Sequence, residues 1–182
     1  MNRNSTIIAS LLSFALATSL GAPSTAAKPH RIAGGANQKA SVEGCMNQWL
    51  FNGVWRLKVT SVDSIMDGSW QGYGVNIQLR NGTSKTIELG NSGVQGRGVG
   101  VQLITDDGNA LTLNELDYQR LGYRDIVQGG GATYQVKYHF PSGASTAVKP
   151  AKFILQIDPH TSSTAQYSMH DPSFRVNLGC TK

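Results

Sequence analysis

Apolar and polar residues alternate with a period of two along most of the chain. In Val54 to Thr60, Trp55, Leu57 and Val59 alternate with Arg56, Lys58 and Thr60, and in Tyr73 to Arg80, Val75, Ile77 and Leu79 alternate with Asn76, Gln78 and Arg80. Tyr134, Val136, Tyr138 and Phe140 stand against Gln135, Lys137 and His139, and Phe174, Val176 and Leu178 against Arg175 and Asn177. Each run predicts a strand with one buried and one wet face. Shorter candidates are Thr86 to Leu89, Val99 to Thr105, Ala110 to Leu113 and Ala151 to Ile157. Turn signals at Asn81-Gly82, Asp107-Gly108 and Gly129-Gly130-Gly131 separate the runs, and the total is about eight strands. The stretch 114–125, with Leu116, Leu121 and Tyr123, has no clear period and is expected to hold a short helical turn within a long connection. One-sided alternation over this many strands calls for two antiparallel sheets packed face to face, so the fold class is all-β, a sandwich ahead of a barrel.

The order of features carries a resemblance. The pieces are an early strand GVWRLKVTSV, a second strand with an Asn-led turn, VNIQLRNGTSKTIEL, a later LITDDGNAL, and IVQGGGATYQVKYHFP. Over roughly residues 50 to 178 this is similar to a family of exported bacterial Ig-like proteins related to the mycobacterial immunoprotective extracellular antigen fold. The family reads apolar-x-Pro-Gly before the last of these strands, where this chain has Gln128, and it does not require a Cys pair. The resemblance implies an antiparallel Ig-like β-sandwich acting as an extracytoplasmic binding or envelope-associated module, and it brings no catalytic residue with it.

The N-terminus sets the expected compartment. Residues 1–27 run from Arg3 through an apolar stretch, Ile7 to Leu20, to the small residues Ser24, Thr25, Ala26 and Ala27, which reads as a secretory signal peptide. No later segment is long and apolar enough to anchor the chain in a bilayer. Residues 28–44 read as a flexible basic leader with Lys28, His30, Arg31 and Lys39, ahead of a domain at 45–182. Without Arg3, 15 basic residues stand against 11 acidic ones, a net charge of +4. That excess lacks the dense basic face with stacking aromatics that nucleic acid requires, so no nucleic-acid partner is expected. In a secreted or periplasmic chain Cys45 and Cys180 are expected as a disulfide, one just before the first core strand and one just after the last.

Candidate chemistry is sparse. Of 182 residues 40% are hydrophobic and 15% charged, a globular composition without heptads or a Gly-X-Y period. The acidic pair Asp106-Asp107 with Gly108 reads as a hairpin tip, being too short for a calcium loop. GVQGRGVG at 93–100 lacks the following helix and the Gly-Lys-Ser/Thr of a phosphate loop, and reads as an inter-strand loop presenting Arg97. No Gly-x-Ser-x-Gly elbow is present, and no enzyme activity is expected. Asn81-Gly82-Thr83 fits both a glycosylation sequon and a turn. Trp49, Phe51, Trp55, Trp70 and Tyr73 crowd into one window, with Trp55 in phase with the core and Trp70 in the polar turn SWQG, exposed. Trp70 and Arg97, with the 159–172 segment, are the expected partner-binding loops. The expected function is a non-catalytic binding module for a protein or cell-envelope partner, without cofactor. The alternative is a periplasmic metal-handling protein in which His160, Met169 and His170 hold copper or zinc.

Overall fold

The structure, a computed structural model, describes residues 41–96, 99–143 and 145–181. The expected signal peptide 1–27, residues 28–40 of the expected leader, and Arg97 lie outside the described residues. The described chain is mostly β, its antiparallel sheets curled into a half-barrel.

Eleven strands follow in order among the described residues. They are β1 (Val42–Met46), β2 (Leu50–Phe51), β3 (Trp55–Asp67), β4 (Trp70–Asn81), β5 (Ile87–Glu88), β6 (Val101–Thr105), β7 (Thr112–Leu113), β8 (Asp125–Ile126), β9 (Gly131–His139), β10 (Pro150–Leu155) and β11 (Phe174–Thr181). One helix, α1 (Glu115–Gly122), fills the aperiodic connection, started by Asn114, whose side chain accepts from the Leu116 N–H. Four strands pair in the order β1-β11-β10-β6, five in the order β2-β3-β4-β9-β7, and β5 pairs with β8. All pairings are antiparallel except β1 with β11. The inner faces of both larger sheets contribute to one core, with Trp55, Leu57, Ile77, Leu79 and Tyr138 from one and Leu103, Phe153, Leu155, Phe174 and Val176 from the other. The alternation seen in the four long runs is thus the division between core and solvent.

The structure departs from the sequence reading in specific places. Strand β1 takes in Val42–Gly44, where the alternation predicts leader, because VEGCM pairs in parallel with β11 and needs no apolar alternation at an edge. Both cysteines lie within strands, Cys45 in β1 and Cys180 in β11, and their disulfide joins neighbours whose register shifts between Cys45 and Met46. Strand β3 continues seven residues past Thr60 through a bulge, the register shifting between Val59 and Ser61. The extra residue moves the inward phase from Val59 to Val62, and turns Ser61 and Asp63 outward. Trp70 is the first residue of β4, opposite Asp67, because the β3–β4 turn is the two-residue Gly68-Ser69, with Gly68 at φ 62°. Asn81 is neither a hairpin tip nor an accessible sequon: its amide is buried, donating to the carbonyls of Lys85 and Ile126 at 2.7 and 2.8 Å. The Asp107-Gly108 tip is as expected, with Gly108 at φ 87° and Asp107 held low in pKa by hydrogen bonds from Thr105 and Asn109.

Candidate binding face

The outer face of the five-stranded sheet carries the most organised chemistry among the described residues. Period two sends Arg56 and Lys58 of β3 outward, and the register sets Arg56 directly opposite Arg80 of β4, with Lys58 opposite Gln78. Like charges opposite each other on a sheet are destabilising, so this pair calls for something to hold it. Two aromatic rings do so. The Arg56 guanidinium lies 4.4 Å from the centre of the Phe51 ring, and Lys58 Nζ and the Arg80 guanidinium lie 4.9 and 4.7 Å from the centre of the Trp49 ring. Among the described residues, none of the three cations has a carboxylate within ion-pair distance.

The rings are held from behind. Phe51 packs on Gly82, where a Cβ would come within 2.8 Å of its ring. Trp49 follows a tight turn in which Asn47 takes a left-handed φ of 62° and donates its N–H to the Val59 carbonyl at 2.8 Å, beside the bulge. Gln48 Oε1 accepts from the Cys45 N–H, and Cys45 is tied to β11 by the disulfide. The cationic end therefore rests on a turn fixed by backbone, side-chain and covalent bonds.

The middle of the face is polar, with the Asp63 carboxylate held by its neighbours. Asn76 donates to Asp63 at 2.6 Å and to Ser61 at 2.9 Å, and Gln135 donates to Asn76 at 3.4 Å. Gln78 and Thr133, paired across β4 and β9, make no side-chain hydrogen bond among the described residues. At the far end Asp67 lies 3.3 Å from Lys137 Nζ, accepts from Asn114 at 3.5 Å, and has His139 Nε2 at 3.5 Å, in ion-pair range without hydrogen-bond geometry. The hydrogen bond and charge of Lys137, with a smaller contribution from His139, hold the Asp67 carboxyl below the usual carboxylate range.

The expected site residues are scattered. Trp70 is 53% exposed, as the sequence suggested, with its ring 6.0 Å from His139 at the far end of the same face. His160 and His170 are exposed and Met169 is half-buried, and among the described residues no three His, Cys, Asp or Glu side chains are grouped to hold a metal. The segment that carries them is instead tied to the core. Tyr167 donates to the Ser92 carbonyl at 2.7 Å, its pKa pushed up to about 12 by burial, and Trp55 Nε1 donates to Ser92 Oγ at 2.8 Å. An open cleft of about 330 Å³ beside Met66, Tyr73 and Phe140 is lined without a charged side chain. The crowding of aromatics over 49–73 was the visible trace of the cationic end; its grouping with Arg80 needed the strand register.

No family model matches the sequence, and no curated protein matches it. Among solved structures the chain is similar to the yjhA protein from Bacillus subtilis, at 13% identity and a TM-score of 0.50, covering 74% of this chain and 98% of that one. At that identity the likeness shows a shared fold, and a shared fold does not specify a function.

Proposed function

We propose that the chain is a secreted or periplasmic, non-catalytic binding module with an Ig-like sandwich arrangement, of the exported kind its strand motifs resemble. It takes a negatively charged protein or envelope partner on the outer face of the five-stranded sheet. The observation that carries this reading is the set of three cations, Arg56, Lys58 and Arg80, seated on aromatic rings, with no carboxylate at ion-pair distance among the described residues. A charge that the fold leaves unneutralised, beside a like charge and on a rigid sheet, is complementary to an anion brought from outside. The disulfide between the edge strand β1 and its neighbour β11 supports an oxidising compartment, where such bonds persist.

The test is co-sedimentation of the mature protein with purified envelope from its own compartment, across a salt series. Reversing the face (Arg56→Glu, Lys58→Glu, Arg80→Glu) is expected to abolish a salt-sensitive association. A variant of the 159–172 segment, His160→Ala with His170→Ala, is expected to keep it. The opposite result would move recognition to that segment.

A further inference from the structure

Resting on that reading, we infer that the anionic partner is an acidic polysaccharide, lying along the outer face from the Arg56–Arg80 pair into the neutral row of Gln78 and Thr133. The face presents two kinds of recognition chemistry in adjoining rows, and an acidic sugar chain presents the matching two.

The first row is ionic. Opposite residues of an antiparallel pair stand about 5 Å apart, and Lys58, two residues along β3, follows about 7 Å further on. A guanidinium seated on a ring uses its flat face there and keeps its N–H fork for a carboxylate or sulfate. The β9 partner of Arg80 is Gly131, so the position opposite Arg80 on that strand carries no side chain.

The second row is neutral and unsatisfied. Gln78 stands between Lys58 on one side and Thr133 on the other. Neither Gln78 nor Thr133 spends its side-chain donors and acceptors within the described protein. An amide and a hydroxyl beside a cation suit the ring hydroxyls that flank the acid group of a sugar, each able to accept and to donate. An acidic peptide brings carboxylates for the cations but no ring hydroxyls for this row. The ladder holds both rows on one rigid surface, which fits a stiff repeating chain better than a mobile loop would.

The experiment is calorimetric titration of the disulfide-bonded protein at low salt with three probes of matched length. They are polygalacturonate, the same polymer fully methyl-esterified, and polyglutamate. Polygalacturonate is expected to bind at least about tenfold more tightly than either of the others, since esterification removes the charge and polyglutamate lacks the hydroxyls. Arg56→Gln with Arg80→Gln should weaken polygalacturonate by about tenfold or more. Gln78→Ala with Thr133→Ala should weaken polygalacturonate severalfold and leave polyglutamate unmoved. All four positions are on the outer face, and unchanged melting curves will show that each variant folds.

Polyglutamate binding as tightly as polygalacturonate, with the Gln78 and Thr133 variant silent, would overturn the polysaccharide and leave the charged face standing as an acidic-peptide site. Binding of no probe, or binding that the Arg56 and Arg80 variant does not move, would overturn both the inference and the proposed face.

Discussion

At one end of the sheet's outer face Asp67 gathers Lys137, Asn114 and His139 within 3.5 Å, while at the other Arg56, Lys58 and Arg80 stand on Phe51 and Trp49 with no carboxylate among the described residues at ion-pair distance. The strands are the same, β3 and β4 running through both ends. At the hairpin end, charge is internally balanced, so it serves to clasp the Gly68-Ser69 turn against β9 and the start of α1. At the other end the fold spends two aromatic side chains, a left-handed Asn47 and a disulfide on holding like charges together. The comparison teaches that burial alone does not separate the structural end from the functional one, since both are partly exposed. What separates them is whether the protein completes its own electrostatics.

The disulfide gives the largest expected difference between the ends. It closes a separation of 135 residues, for which the chain-entropy model gives about 5 kcal/mol. Cys45→Ser with Cys180→Ser is expected to lower stability by about that much in chemical denaturation while the core still folds. Hydrogen exchange should show lost protection at Asn47, whose N–H is bonded to Val59, and unchanged protection across the Asp67–Trp70 turn. Equal protection at both ends, with unchanged stability, would mean that the turn before Trp49 needs no covalent anchor.

Removing Trp49 tests the cationic end directly. Trp49→Ala takes away the seat of both Lys58 and Arg80, and with exposed cation–π contacts at about 0.5–1 kcal/mol each the loss is about 1–2 kcal/mol. A thermal melt reads this, and a loss near zero would show that the ring merely lies beside the cations.

Most of this framework was legible in the chain because long strands with one wet face write their burial as a period of two. The runs at Trp55, Val75, Val136 and Val176 gave the inner faces of both sheets, and the aperiodic stretch around Leu116 and Leu121 gave the helix. Where burial does not alternate, the chain was silent. Strand β1 is an edge held by a parallel neighbour and a disulfide, and β2 and β8 are two residues each, too short to show a period. The bulge after Val59 shows in hindsight as the phase change to Val62. The candidate face was half legible: Arg56 and Lys58 were plainly on a wet side, and Trp49 and Phe51 were conspicuous. That Arg80 stands opposite Arg56 depends on hairpin register, fixed by the Gly68-Ser69 turn, whereas the sequence pattern places Trp70 itself in the turn.

At the balanced end the expected signature is in pH. The Asp67 carboxyl is lowered by Lys137 first and His139 second, so its ionised form is favoured in the folded protein. A lowered folded pKa contributes stability above the ordinary carboxylate range, near pH 4, and that contribution is lost as pH falls through the folded value. Asp67→Asn is therefore expected to flatten the acid limb of a stability–pH profile and to leave anion binding unchanged. An unaltered acid limb would show that Lys137 and His139 do not clasp this turn in solution.

The smallest stability effect is expected where the binding effect is large, at Arg80→Gln. Arg80 is exposed and faces Arg56 across the pair, so removing its charge relieves a repulsion between opposite positions while losing one contact with Trp49. These contributions are of similar size and opposite sign, and the net should stay within about 0.5 kcal/mol, as for other surface changes. A loss well beyond that would make Arg80 a structural partner of Trp49 and the cationic end another clasp, like the Asp67 end. Unchanged or raised stability together with lost affinity for an anionic polymer would show a like-charge pair that the fold tolerates and a ligand requires.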